Sequence, residues 1–157
     1  MPVSIEVRNE SARRGMHRRD VLERIAARVL EGEGVAGAVE LSVLFCDDPF
    51  IAELNRRYRK KKGPTDVLSF AQEDDMAVGG ARALGDIVIS LETVERFCDG
   101  EPARMRAEVR LLFCHGLLHL LGSDHADAAG KRRMLDLQAR YLGVDANAAW
   151  HSERRPC

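Results

Sequence analysis

Hydrophobic residues recur along the chain at two spacings, every second position and every third or fourth. Alternation is typical of half-buried strands, and the longer period is typical of amphipathic helices. The strand-like stretches are residues 3–7, 39–45, 67–70 and 85–90. The polar, glycine-containing stretch 72–84 predicts a mobile loop between the last two strands. Five helices are predicted: one capped by Asp20, one starting at Asp47 or Asp48, and three over 91–98, from Pro102 and over 127–142.

Strands and helices follow one another without strict alternation, and this favours an α+β fold over a doubly wound one. We expect a small mixed four-stranded sheet with helices packed on it. The helix from Pro102 is apolar over its last two turns and is predicted to be central and buried. Residues 1–157 are predicted to form a single domain, with 146–157 as a tail.

Composition adds little to this picture. The 157 residues are 45% hydrophobic and 31% charged, and the formal net charge is −1, so any basic surface has to be local. With no secretory or membrane-spanning segment in the sequence, we expect a cytoplasmic protein without a membrane partner. The cysteines lack a C-x-x-C pair and are predicted to be free thiols. They are Cys46, Cys98, Cys114 and Cys157.

The histidines form the strongest chemical pattern. Three of the five lie in residues 115–125, spaced H-x3-H-x2-G-x2-H. Residues four apart share a helix face, so His115 and His119 can present their rings to one point. Gly122 can adopt the left-handed conformation that ends a helix, which lets His125 return toward them. Three such imidazoles predict a zinc-like site whose fourth position is open to water, as in catalytic sites.

Neighbours of the histidines limit this chemistry. Metzincin proteases share the spacing but carry a general-base glutamate where this chain has Gly116. Peptide hydrolysis by the usual route therefore lacks its base, although a bound metal lowers the pKa of its water to about 7. Asp124 is predicted either to hydrogen-bond a ligand or a water, or to cap the helix from Asp127. Cys114 points about 100° away from His115 and is predicted to lie in the core.

A second cluster, termed the basic segment, comprises residues 56–62 and has the sequence R-R-Y-R-K-K-K. Cations are favourable near a helix C-terminus, but this explains one or two of them, not six. The density predicts a surface that faces phosphates. Its cations are Arg56, Arg57, Arg59, Lys60, Lys61 and Lys62. A weaker cluster, 131–133, is predicted to be the exposed face of the last helix.

A metal site and a phosphate-facing surface together narrow the reaction. Two-metal nucleases hold Mg²⁺ with several carboxylates, whereas imidazoles favour one transition metal. The residues alone therefore predict hydrolysis of a phosphodiester at a mononuclear site.

These motifs resemble those of the YbeY family, bacterial endoribonucleases also called rRNA maturation factors. The resemblance rests on H-G-L-L-H-L-L-G-S-D-H and on three further stretches. They are N-R-R-Y-R at 55–59, P-T-D-V-L-S-F at 64–70 and L-G-D-I-V-I-S at 84–90. The match runs in order from about residue 41 to residue 143. Ala71 and Ser123 depart from the family's common pattern, and neither is a predicted ligand.

The resemblance implies a single-strand-specific, metal-dependent endoribonuclease acting in small-subunit rRNA 3′-end maturation and ribosome quality control. It implies one Zn²⁺ per chain on His115, His119 and His125, a catalytic Arg59, and ribosomal RNA and the small subunit as partners. The other cations of the basic segment would hold the RNA backbone. Two alternatives stay open: a metal-dependent hydrolase of a peptide or ester, and a non-catalytic ribosome assembly factor with a structural zinc.

Overall fold

One mixed sheet organises the computed structural model, which describes residues 3–72, 81–123 and 127–145. Its strands are β1 (Val3–Asn9), β2 (Val39–Cys46), β3 (Val67–Ala71) and β4 (Arg82–Ser90), in the order β1-β2-β4-β3. β2 pairs in parallel with β1 and with β4, whereas β3 runs antiparallel to β4. The predicted α+β class and mixed four-stranded sheet are confirmed.

Five α-helices in these residues match the five predicted ones. They are α1 (Arg19–Gly32), α2 (Asp48–Leu54), α3 (Leu91–Phe97), α4 (Pro102–Leu120) and α5 (Ala128–Leu142). α2 continues into one π-helical turn, Asn55–Arg59. The prediction that Asp20 caps α1 was wrong, because the cap residue is Arg18. Asp20 lies in the first turn instead, where a carboxylate is favourable beside the helix dipole.

The predicted start of β4 was also wrong, because the strand begins at Arg82 rather than at Gly85. Gly85 is a strand residue at a register shift, with φ +137, and a Cβ there would lie 2.1 Å from the carbonyl oxygen of Phe70. Glycine therefore marks an irregularity inside the strand, not its beginning. Of the predicted loop 72–84, residues 73–80 lie outside the described residues, as does the predicted tail 146–157.

The main core lies on one face of the sheet, where α1 and α4 pack. α4 buries residues all around its last turns, and Leu112, Phe113, Cys114 and Leu117 are fully buried. It contacts α1, α5, β3 and β4, so the prediction of a central, buried helix is confirmed. A fully buried leucine or phenylalanine contributes roughly 1.5–3 kcal/mol, so burial of this helix stabilises the fold.

The opposite face of the sheet is covered only in part. α2 packs there around a small cluster that contains Ile51, Leu68 and Val88. Cys46, Cys98 and Cys114 are buried free thiols as predicted, while Cys157 lies outside the described residues. None of the helices in the described ranges is both long and apolar enough to cross a bilayer.

Candidate metal centre and the β3 edge

Two of the predicted ligands meet on α4. The Nε2 atoms of His115 and His119 lie 3.1 Å apart, and their rings are 70° from parallel. Two nitrogens bound to one tetrahedral zinc at about 2.0–2.1 Å would be roughly 3.3 Å apart. The pair therefore fits a shared metal ion, with His115 buried and His119 half-buried.

Gln138 fixes the orientation of the first histidine. Its Oε1 lies 2.8 Å from Nδ1 of His115, and Gln138 is 0% exposed on α5. An amide oxygen is only an acceptor, so this contact places the proton on Nδ1 and leaves the Nε2 lone pair for a metal. Sequence reasoning missed Gln138. The feature that could have identified Gln138 is its position, a polar residue on the same face of α5 as Met134 and Tyr141.

The third predicted ligand, His125, and its neighbour Asp124 lie outside the described residues. Among the described residues no group of three or more metal-ligating side chains forms, so the site of three histidines stays a prediction. Gly122 does end the helix as predicted, with φ +100 and an N–H that donates to His119. Asp127 caps α5 through a 2.7 Å bond to Gly130, so the capping role considered for Asp124 belongs to Asp127.

Gly116, at the position of the protease glutamate, packs directly on the sheet. A Cβ there would lie 2.9 Å from Cγ2 of Ile87 and 3.0 Å from Oγ of Ser69. Ile87 is fully buried, so a longer side chain at residue 116 would meet β3 and β4. The close packing thus disfavours a glutamate at residue 116, and this argues against a metzincin-like mechanism.

The basic segment begins in the π-helical turn and leaves it at Lys60, whose φ is +58. Buried Asn55 anchors the segment: its Nδ2 donates to the carbonyl of Gly63, and its own carbonyl accepts from the N–H of Lys61. All six cations are exposed. Arg56 pairs with Glu53 at 2.6 Å, an exposed contact that contributes little.

Arg59 lies against the free edge of the sheet. Its guanidinium donates to the carbonyl of Ser69 at 2.5 Å and lies 5.2 Å from the ring centre of Phe70. The Ser69 hydroxyl in turn donates to the carbonyl of Gly116 at 3.2 Å, one residue after His115. A single residue of β3 therefore joins the predicted catalytic arginine to the turn of α4 that carries the histidines.

An α+β fold with a histidine pair on its central helix and an exposed arginine at the sheet edge offers groups that suit a metal ion and a phosphate. The family model described as Endoribonuclease YbeY matches residues 5–144, nearly the whole chain. The chain belongs to the YbeY family.

Individual relatives agree with this assignment. An endoribonuclease YbeY of Synechococcus sp. strain CC9605 is 49% identical over 111 residues, covering 69% of this chain and 67% of that protein. An endoribonuclease YbeY of Salinispora tropica is 38% identical over 162 residues, covering 97% of this chain and 99% of that protein. A Thermotoga maritima protein solved in solution shares the fold, with a TM-score of 0.53, 23% identity and coverage of 96% and 91% of the two chains.

Proposed function

We propose that this chain is a metal-dependent endoribonuclease that cleaves single-stranded RNA during ribosomal RNA maturation. Its family and the names of its relatives support cleavage of RNA. The observation that carries the metal dependence is the 3.1 Å approach of the His115 and His119 Nε2 atoms, with Nδ1 of His115 held by Gln138. One zinc ion per chain is proposed, with His125 as the third ligand.

The protein's own residues then have separate tasks. Zinc, when bound, supplies a Lewis acid and a water of lowered pKa. Gln138 keeps the ring of His115 in the metal-binding tautomer, and Asp124 is proposed to accept a hydrogen bond from a ligand or from water. Gly116 keeps α4 close to the sheet, so that His115 lies beside Ser69 and the β3 edge.

Arg59 is proposed to bind the scissile phosphate. A guanidinium has five N–H donors in a planar fork, and the bond to Ser69 uses one of them. The fork can therefore contact phosphate oxygens while Ser69 and the ring of Phe70 hold it in position. Charge that builds up on the phosphate in the transition state is stabilised by this fixed cation.

The remaining exposed cations of the basic segment are proposed to contact the RNA backbone without reading sequence. They are Arg56, Arg57, Lys60, Lys61 and Lys62. We further propose that the chain acts as a single domain, in the cytoplasm, on the rRNA of the small ribosomal subunit.

The test combines metal content with RNA cleavage. Purified wild type should hold about one zinc per chain and cleave an unstructured RNA, and His119→Ala should lose both properties. Arg59→Glu should keep the zinc and the fold, as measured by circular dichroism, but lose cleavage. Arg59→Lys keeps the charge without the planar fork and should retain a small part of the activity.

Other outcomes would identify the alternatives. Zinc with no RNA cleavage under any condition, and a lower melting temperature in His115→Ala, would indicate a structural zinc in a non-catalytic ribosome factor. Turnover of casein or an ester with RNA left intact would indicate a different hydrolase. Purified protein without metal would contradict the metal site itself.

A further inference from the structure

The sheet face opposite α4 carries a groove of about 590 Å³ beside α2 and the π-helical turn. Its apolar wall includes Phe50, Tyr58 and Phe70, and it is termed the aromatic groove. Tyr58 is 54% exposed and Phe50 45% exposed. The rings of Tyr58 and Phe70 meet edge to face at 5.4 Å. Such exposed rings offer π faces to a ligand.

The floor of the aromatic groove is a row of side chains that crosses all four strands. Glu6 pairs with Ser42, Ser42 with Asp86, and Asp86 with Phe70. Neighbouring strands lie about 4.8 Å apart, so the Asp86 carboxylate is next to the Phe70 ring. Asp86 is exposed and accepts a hydrogen bond from the Ser42 hydroxyl. A carboxylate has about four lone-pair sites, so it can accept further N–H groups.

Charge is divided between the floor and the rim of the groove. Carboxylates of Glu6 and Asp86 line the interior, where they would repel phosphates. Arg8 also lines the groove, and it pairs with Glu10 at 2.6 Å. The basic segment lies at the rim: Arg57 is 5.7 Å from the ring centre of Tyr58, and Arg59 is over Phe70. This arrangement suits a ligand with an aromatic, hydrogen-donating part and an anionic backbone. A nucleotide is such a ligand.

We propose that the aromatic groove binds one unpaired base of the RNA, stacked on the exposed ring of Tyr58 and packed beside Phe70, with its amino group donating to Asp86. The base would enter the groove while its phosphates stay at the rim on the basic segment. A base in a duplex keeps its amino group in a pair and its faces covered, so the groove selects single strands. The inference rests on the proposed function and adds to it a site for substrate recognition.

β3 connects this groove to the metal centre. Phe70 faces the groove, whereas the side chain of the preceding residue, Ser69, reaches α4 beside His115. Arg59 lies at the edge between them, bonded to the Ser69 carbonyl. An RNA strand crossing the β3 edge would therefore place a base in the groove and a neighbouring phosphate on Arg59. The groove would fix the register of the strand before cleavage.

The experiment uses an unstructured ten-nucleotide RNA that contains a single 2-aminopurine, whose fluorescence falls when it stacks. Wild type should bind it with quenching. Tyr58→Ser should weaken binding by roughly five- to a hundred-fold and abolish quenching, whereas Tyr58→Phe should behave as wild type. Asp86→Asn should weaken binding several-fold with quenching retained. Val144→Ser, at an exposed apolar residue just after α5, is the matched control and should change nothing.

Each outcome separates this inference from the proposed function. Wild type that neither binds nor cleaves the RNA contradicts the proposed function itself. Wild type that binds and cleaves, with affinity and quenching unchanged in Tyr58→Ser and Asp86→Asn, overturns the groove alone. If wild type binds an oligoarginine peptide and Asp86→Asn does not, while both bind the RNA equally well, the groove is a protein-docking surface. That result would also overturn the proposed base-binding role. Quenching is read directly after mixing, and gel electrophoresis of samples stopped at that time verifies that the RNA is not yet cut.

Discussion

A polar side chain in the core has to be satisfied, and in this protein one such pair orients the candidate metal centre. Gln138 is 0% and His115 3% exposed. Leaving either group without its 2.8 Å bond would cost about 1–3 kcal/mol, so the amide and the imidazole hold each other in place. Orientation of the ligand is therefore built into the packing of α4 against α5.

Replacing Gln138 tests this coupling. Gln138→Met keeps most of the volume but removes the acceptor, so the ring of His115 loses its fixed tautomer. We expect zinc affinity to fall by roughly 10–100-fold. Gln138→Glu retains an acceptor and should hold the metal at least as tightly as wild type. Competition with a chelating dye measures both, and equal affinities in all three proteins would contradict the assigned role.

Contacts between residues close in the sequence could be predicted, and contacts between distant residues could not. His115 and His119 are four apart on one helix, so their meeting follows from helical geometry alone. Gln138 lies 23 residues further on in another helix, and its contact depends on how α4 and α5 pack. Similarly, the sequence indicates that Gly116 removes a base, but the closeness of Ile87 that requires a glycine is visible only in the fold.

Between elements, one carboxylate ties α2 to α3. Asp48, at the start of α2, accepts hydrogen bonds from Ser90 at 2.8 Å, Thr93 at 2.6 Å and Arg96 at 2.6 Å. Burial acts to raise the pKa of Asp48, but the bonds from Thr93, Arg96 and Ser90 outweigh it and hold the pKa below its ordinary value. The ionised form is therefore favoured by folding.

This shift predicts a pH-dependent cost for Asp48→Asn. Because the folded pKa is lowered, the stabilisation is present above the ordinary value of 3.8 and is lost as the pH falls through the folded pKa. We expect a loss of about 1–3 kcal/mol at pH 7 that shrinks toward pH 3. Urea unfolding at pH 7, 5 and 3 measures it. Asp99→Asn, whose side chain is 85% exposed, is the control and should cost under about 0.5 kcal/mol.

The close contact of α4 with the sheet gives a second prediction about packing between elements. Gly116→Ala should gain about 1 kcal/mol of helix propensity but lose about 1–3 kcal/mol to overpacking against rigid, buried Ile87, for a net loss. Urea unfolding provides the values for a double-mutant cycle with Ile87→Ala. In the Ile87→Ala background the cost should shrink, because only the contact with Oγ of Ser69 remains. A stabilised single variant would show that the sheet adjusts and that glycine is not required there.

The presence of each strand and helix could be predicted from the sequence, whereas some bounds and irregularities could not. The strands and helices of the described residues follow from hydrophobic periodicity and from the turn and cap residues between them. The π-helical turn after α2 was not predicted, since Ile51, Leu54 and Tyr58 follow an ordinary helical spacing that does not distinguish a π-helical turn from an α-helix. The start of β4 was missed because glycine usually marks a boundary, and its role at a register shift depends on the partner strand.

Across the whole molecule, charge is nearly balanced but unevenly placed. The net charge is −1, yet six exposed cations lie in the basic segment, and Arg59 of this segment contacts the β3 edge. The sequence indicates this density of cations, but not that the strand order β1-β2-β4-β3 leaves β3 at the edge where Arg59 reaches it. The topology thus places part of a local charge run beside the aromatic groove and the candidate metal centre.

Placement rather than total charge should therefore govern RNA binding. Replacing Lys60, Lys61 and Lys62 together by glutamine should lower the salt dependence of RNA binding. The slope of log K against log salt should fall in magnitude by up to about 2, because each lost phosphate contact removes roughly 0.7. Replacing Lys131, Arg132 and Arg133, exposed on α5, removes the same charge and should leave the slope unchanged. Fluorescence anisotropy at several salt concentrations measures both. Equal effects of the two variants would mean that RNA responds only to overall charge, and the β3 edge would then have no special role in binding.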